Sequence, residues 1–175
     1  MGILVSKPTE IALVVTAMVL IGVAFTLVYP HLSERSEEPL LDWENTAVVA
    51  RGATLYAEQC SSCHGYIGGS QNTNDMNNIR VSAPSHGADG HTWKHPDFAL
   101  VQLTKTGEVA DLCRDVSESE MPEFGQALSD REIVDVLSYI KSTWSENIRG
   151  RHDEINLLYE GQNTAVRELL DLSDS

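Results

Sequence analysis

Residues 51–65 read RGATLYAEQCSSCHG, and they carry the most informative pattern in the chain. Cys60 and Cys63 stand three residues apart, and His64 follows at once. C-x-x-C-H is the pattern of covalent haem c attachment. Two thiols at this spacing can form thioethers to the two vinyl groups on one side of a haem, and the adjacent histidine then supplies an axial nitrogen to the iron. We therefore predict one covalently attached haem c, held by Cys60, Cys63 and His64.

Two other uses of a C-x-x-C pair fit the rest of the sequence poorly. A zinc site needs a second ligand pair at comparable spacing, and the remaining candidates form no such pair: Cys113, His86, His91 and His95. A redox dithiol of the thioredoxin type expects a βαβ pattern, which the sequence lacks. Cys113 is interpreted most simply as a buried thiol, with a reactive thiol or an intermolecular disulfide as alternatives.

Met121 is the predicted sixth ligand of the iron. It begins the stretch MPEFG at 121–125, a turn stiffened by proline and glycine just before the last predicted helix. Its thioether is a soft ligand, and a His/Met pair raises the reduction potential of a haem. Two alternatives stay open. One is Met76, 12 residues after His64 in a polar loop; the other is a histidine from the set His86, His91 and His95.

The sequence predicts an all-α domain with three main helices. The first covers roughly Asn45–Gln59, and the second begins near Pro96 and is closed by Gly107. The third opens at Ser129 and Glu132 with the S-x-x-E pattern of a capping box. It continues as an apolar stripe at helical spacing, formed by Ile133, Val136, Leu137, Ile140 and Trp144.

Together these motifs resemble the mitochondrial-type, or class I, cytochrome c family. The resemblance covers about Asn45–Trp144 and rests on the haem motif, on MPEFG followed by LSDREI at 128–133, and on VLSYIK at 136–141. It implies a class I cytochrome c fold of a few helices around one covalently bound haem. In that fold the first and last helices cross at close range.

The resemblance assigns three residues to the helix crossing. Gly52, which has no side chain, would permit the close approach of the two helices. Tyr56 and Tyr139 would then pack beside the crossing. These positions follow from the family's architecture, and composition alone does not indicate them.

Three further residues receive roles from the resemblance. Pro84, the proline after the haem motif, would accept a hydrogen bond from His64 Nδ1 and so fix the ring. Trp93 and His91 would hydrogen-bond the haem propionates, since a buried indole N–H usually has a partner. The alternative is that Trp93 only packs and His91 is solvated.

The amino-terminal segment differs in composition from the rest of the chain. Ile11–Tyr29 holds 19 residues without a charge, and about 20 apolar residues span a hydrocarbon core as a helix. A cleaved signal peptide is disfavoured because no small-x-small cleavage site follows. We predict four parts: a single N-terminal transmembrane helix at 1–30, a tether at 31–44, the cytochrome c domain at 45–144 and an acidic extension at 145–175 outside the core.

The charge balance bears on the partners. The chain has 12 Lys and Arg against 26 Asp and Glu, a formal net charge of −14. Nucleic acid binding is excluded on this ground, because it needs clustered positive charge. The acidic surface instead favours a redox donor or acceptor with a basic docking face.

The predicted function is that of a membrane-tethered monohaem c-type cytochrome, an electron-transfer protein and not an enzyme. Haem c is attached outside the cytoplasm, so the domain is expected in the periplasm or an equivalent space, anchored to the cytoplasmic membrane.

Two alternatives to this function stay open. In the first, the protein is a fixed haem subunit of a larger respiratory or photosynthetic complex, on which the leucines of the extension would pack. In the second, it is an open-site haem enzyme or gas sensor, which requires that Met121 not ligate the iron. Carbon monoxide binding to the reduced protein separates the second alternative from electron transfer.

Overall fold

The chain divides into two units, Met1–Glu38 and Pro39–Ser175. The computed structural model describes residues 15–23, 25–26, 39–67, 83–108 and 121–173. In the first unit, all the described residues are helical. Within the described ranges no helix is both long and apolar enough to cross a membrane. The other residues of the predicted span Ile11–Tyr29 lie outside the described residues.

The second unit is built from helices, and its described residues contain no strand. Its helices, labelled in chain order, are α1 (Thr46–Leu55), α2 (Ser61–His64), α3 (Asp97–Thr106), α4 (Asp130–Ser142), α5 (Glu146–Leu158) and α6 (Glu160–Leu169). A π-helical turn, Tyr56–Cys60, joins α1 to α2, and a 3₁₀ turn, Thr92–Lys94, precedes α3. The predicted all-α class is confirmed for these residues, and α1, α3 and α4 are the three predicted helices.

Local sequence accounts for several helix ends. The Asn45 side chain caps α1 by accepting from the backbone N–H groups of its first turn. The Ser129 and Glu132 side chains form both halves of the predicted capping box at α4. Gly107 ends α3 with φ 71°, in the left-handed region that glycine adopts without strain.

Helices α1 and α4 cross at close range, as predicted. A Cβ placed on Gly52 would lie 2.0 Å from the backbone oxygen of Asp135, so only glycine permits this separation. Arg51 Nε lies 2.6 Å from the buried Asp135 carboxylate and pairs the same two helices by charge. The rings of Tyr56 and Tyr139 pack with centroids 5.6 Å apart.

The hydrophobic core begins earlier in the chain than the sequence predicted. Leu40 and Leu41 are 5% and 0% exposed and belong to the core cluster. The predicted tether at 31–44 is therefore wrong at its carboxyl-terminal end. The error arises because two adjacent leucines after an acidic run show neither helical nor strand periodicity.

The acidic extension at 145–175 is also part of this unit. It forms α5 and α6, and four of its apolar side chains pack against the core: Ile148, Val166, Leu170 and Leu172. His152 of α5 is fully buried. The prediction that the extension lies outside the core is wrong, because the partners that bury its side chains lie far away along the chain.

Candidate haem site

The C-x-x-C-H motif lies where α1 runs through the π-turn into α2. The turn places Cys60–His64 at the end of the helix that crosses α4. The Tyr56 hydroxyl donates to the Gly65 carbonyl at 2.8 Å, and the Ser61 hydroxyl donates to the Ala57 carbonyl at 2.8 Å. Both hydrogen bonds tie the motif to the π-turn that continues α1, the helix whose position is set by the crossing.

Both cysteines of the motif are free thiols. Cys60 is half-buried and Cys63 is exposed, and neither takes part in a disulfide. Burial, with a smaller contribution from Cys63, raises the pKa of the Cys60 thiol to about 11. Two free thiols three residues apart on one turn fit the covalent attachment of a haem.

The His64 ring is held by the backbone that follows the motif. Its Nδ1 lies 2.8 Å from the Pro84 carbonyl oxygen. A carbonyl can only accept, so Nδ1 carries the proton and Nε2 keeps the lone pair that a metal needs. The neighbouring Ala83 N–H donates to the Cys63 carbonyl at 3.3 Å. Residues 83 and 84 are thus docked directly on the motif.

His86 packs against His64, a contact that no sequence pattern signals. The two rings are stacked with centroids 4.0 Å apart and planes at 27°. Burial first, then the charges of His64 and His91, lower the pKa of His86 to about 3. His86 Nδ1 also lies 2.8 Å from Thr92 Oγ1.

Trp93 and His91 lie at the short 3₁₀ turn before α3. Trp93 Nε1 is buried and has no hydrogen-bond acceptor among the described residues. A buried donor without a partner is costly, and a propionate carboxylate is an acceptor of the required kind. The His91 ring is exposed and contacts His95 edge-on, with centroids 5.4 Å apart. The orphaned Trp93 N–H is a second observation that fits a bound haem.

The loop that carries Met121 is docked on the carboxyl-terminal end of α3. The N–H groups of Phe124 and Gly125 donate to two carbonyls in the last turn of α3, at 3.1 and 2.9 Å. Met121 is half-buried, and its carbonyl oxygen lies 2.7 Å from where a Cβ on Gly107 would be. The rival ligand Met76 and the third thiol, Cys113, lie outside the described residues.

These helices and thiols, with His64 engaged through Nδ1, define a c-type cytochrome domain of class I. Such a domain carries covalently bound haem c and transfers electrons. Residues 47–140 match the family described as cytochrome C oxidase, cbb3-type, subunit III. The match covers more than half of the chain, and the chain belongs to this family. Comparisons with curated proteins and with solved structures each found no match.

Proposed function

We propose that the domain holds one haem c with His64 and Met121 as axial ligands and passes single electrons between redox partners. The observation that carries this proposal is the 2.8 Å contact between His64 Nδ1 and the Pro84 oxygen. It leaves Nε2 as the metal-binding nitrogen and restrains the ring plane. When bound, haem supplies the one-electron couple.

The protein's part in this function is to hold the haem and to position its ligands. Cys60 and Cys63 would hold haem through two thioethers, so that a small domain could keep it without a large cavity. The Met121 thioether is presented by a loop that two backbone hydrogen bonds hold on α3. A loop held in this way favours a closed sixth position, and hence electron transfer, over the open-site enzyme or sensor.

The family description supports a place in a membrane redox complex. It names an oxidase subunit, and we propose that this domain relays electrons within or toward such a complex. The formal charge of −14 favours a basic docking face on the partner.

Electron exchange tests this function directly. Reduced protein mixed with a small basic redox protein should transfer electrons rapidly in a stopped-flow experiment. The rate should fall as ionic strength rises, since salt screens the attraction. A small acidic redox protein is the control and should show the opposite dependence. Absence of exchange with either partner would contradict electron transfer, and equal salt dependence for both would contradict electrostatic docking.

We also propose that the amino-terminal segment anchors the protein, with the haem domain on the periplasmic side. The helical residues at 15–23 and 25–26 expose large apolar side chains, including Met18, Leu20 and Ile21 at 64–70% exposure. Such a surface is suited to lipid. The protein should then stay with washed membranes and be released by detergent, whereas a variant that begins at Pro39 should be soluble.

A further inference from the structure

Helix α3 lacks a cap of its own. Its N-cap residue is Pro96, which makes no side-chain capping hydrogen bond, and the first N–H groups of a helix have no partner within it. Two asparagines of the extension supply the missing acceptors. Asn156 Oδ1 accepts from the Asp97 N–H at 2.8 Å, and Asn163 Oδ1 accepts from the Phe98 N–H at 2.9 Å.

The two asparagine side chains are themselves oriented by hydrogen bonds. Asn156 Nδ2 donates to the buried Asp97 carboxylate at 3.1 Å, and Asn163 Nδ2 donates to Asn156 Oδ1 at 3.0 Å. Because each Nδ2 group donates to a neighbouring oxygen, the Oδ1 atom of each asparagine is turned toward the N–H group that it caps. The capping arrangement is a connected network that joins α5 and α6 to the start of α3.

Helix α5 also holds the loop that leads into α3. His152 Nε2 lies 3.0 Å from the His95 carbonyl oxygen, and His152 Nδ1 lies 3.3 Å from Asn156 Nδ2. A neutral ring with its proton on Nε2 satisfies both contacts, and burial lowers the pKa of His152 to about 3. Its ring packs edge-on against Trp144 at 4.9 Å, and Trp144 Nε1 donates to the His86 carbonyl at 2.8 Å.

The opposite end of α3 carries the Met121 loop. The Thr104 carbonyl accepts from Phe124 N–H and the Lys105 carbonyl accepts from Gly125 N–H. Helix α3 thus connects the asparagine network at its start to the predicted sixth ligand at its end. Because α3 is a single helix of ten residues, a shift of the helix as a body moves the loop that is docked on its far end.

We propose that Asn156 and Asn163 are positioning residues for the haem site, acting through α3 on the loop that bears Met121. The inference rests on the proposed ligation by Met121. It gives the extension a role inside the domain, while the packing of its leucines on a partner stays a prediction.

The test compares the double variant Asn156→Ala/Asn163→Ala with Asn147→Ala, an exposed asparagine of α5, in the haem-loaded protein. The double variant should bind carbon monoxide faster when reduced, and should lose its sulfur–iron charge-transfer band at a lower pH when oxidised. The amides of Phe124 and Gly125 should exchange with solvent roughly tenfold faster, since two helix caps are lost. The control should match the wild type in all three measurements.

Each outcome separates this inference from the proposed function. If wild type lacks the band or binds carbon monoxide readily, ligation by Met121 fails, while amide exchange still reports on the link through α3. If wild type behaves as expected and the double variant matches the control, the positioning role is wrong. If hydrogen exchange at the Val136 amide in α4 rises as much as at Phe124 and Gly125, the variant is generally destabilised. That result would also overturn the positioning role. Asn163→Ala alone, which leaves the Asp97 cap in place, serves if the double variant does not fold.

Discussion

Replacing Met121 with alanine is expected to remove the sulfur–iron charge-transfer band of the oxidised protein and to lower its reduction potential. A soft thioether stabilises the reduced iron relative to the oxidised iron, so its loss favours the oxidised state. Axial ligands span a range of roughly 0.8 V in haem proteins, and the drop should be a substantial part of that range. The reduced variant should bind carbon monoxide, because one axial position is then open.

Met76→Ala is the matched control, because Met76 is the rival ligand from the sequence. It should keep both the band and the potential of the wild type. Optical spectra of the oxidised and reduced proteins, with a redox titration of each, make the comparison. A band that survives Met121→Ala, or is lost in Met76→Ala, would contradict the assignment. A wild-type spectrum that is high-spin would point to the open-site alternative instead.

The second large effect is expected at the helix crossing. In Gly52→Ala the new Cβ would meet Asp135 O at 2.0 Å, Asp135 C at 2.7 Å and Tyr139 Cβ at 2.8 Å. Two of these atoms belong to the α4 backbone, so no side-chain rotation relieves the contact and the two helices must separate. We expect the free energy of unfolding to fall by about 3 kcal/mol or more, at or beyond the usual range for overpacking. Haem incorporation should fall as well, because α1 leads directly into the C-x-x-C-H motif.

Gly150→Ala is the control for this substitution. Gly150 lies inside α5, and a Cβ built there has nothing within 4 Å. The same chemical change should stabilise the protein by up to about 1 kcal/mol, since alanine favours helix more than glycine does. Denaturant unfolding of both variants, followed by far-ultraviolet circular dichroism, gives the comparison. If the Gly52→Ala protein is as stable as wild type, the distance between α1 and α4 at the crossing must be larger than in the structure.

Apart from the His64–Pro84 contact, which the resemblance implied, the long-range polar contacts described above were beyond the reach of sequence analysis. Asn156 and Asn163 lie 59 and 65 residues after the N–H groups that they cap, and a spacing of seven residues between two asparagines is too weak a signal to single them out. His86 entered the sequence analysis only as an alternative ligand, whereas the structure stacks it on His64. Each of these contacts depends on where separate segments of the chain meet.

The sequence by itself determined the haem motif, the all-α class, the starts of α1 and α4, and both ends of α3. These properties depend on residues within a few positions of one another, such as Cys60 with Cys63 and Ser129 with Glu132. They can therefore be predicted from the sequence alone. Only the tertiary structure decided that Leu41 and His152 are buried and that the acidic extension belongs to the domain. The physical reason is that burial of an adjacent leucine pair or of a neutral histidine depends on partners far along the chain, which only the packed helices bring together.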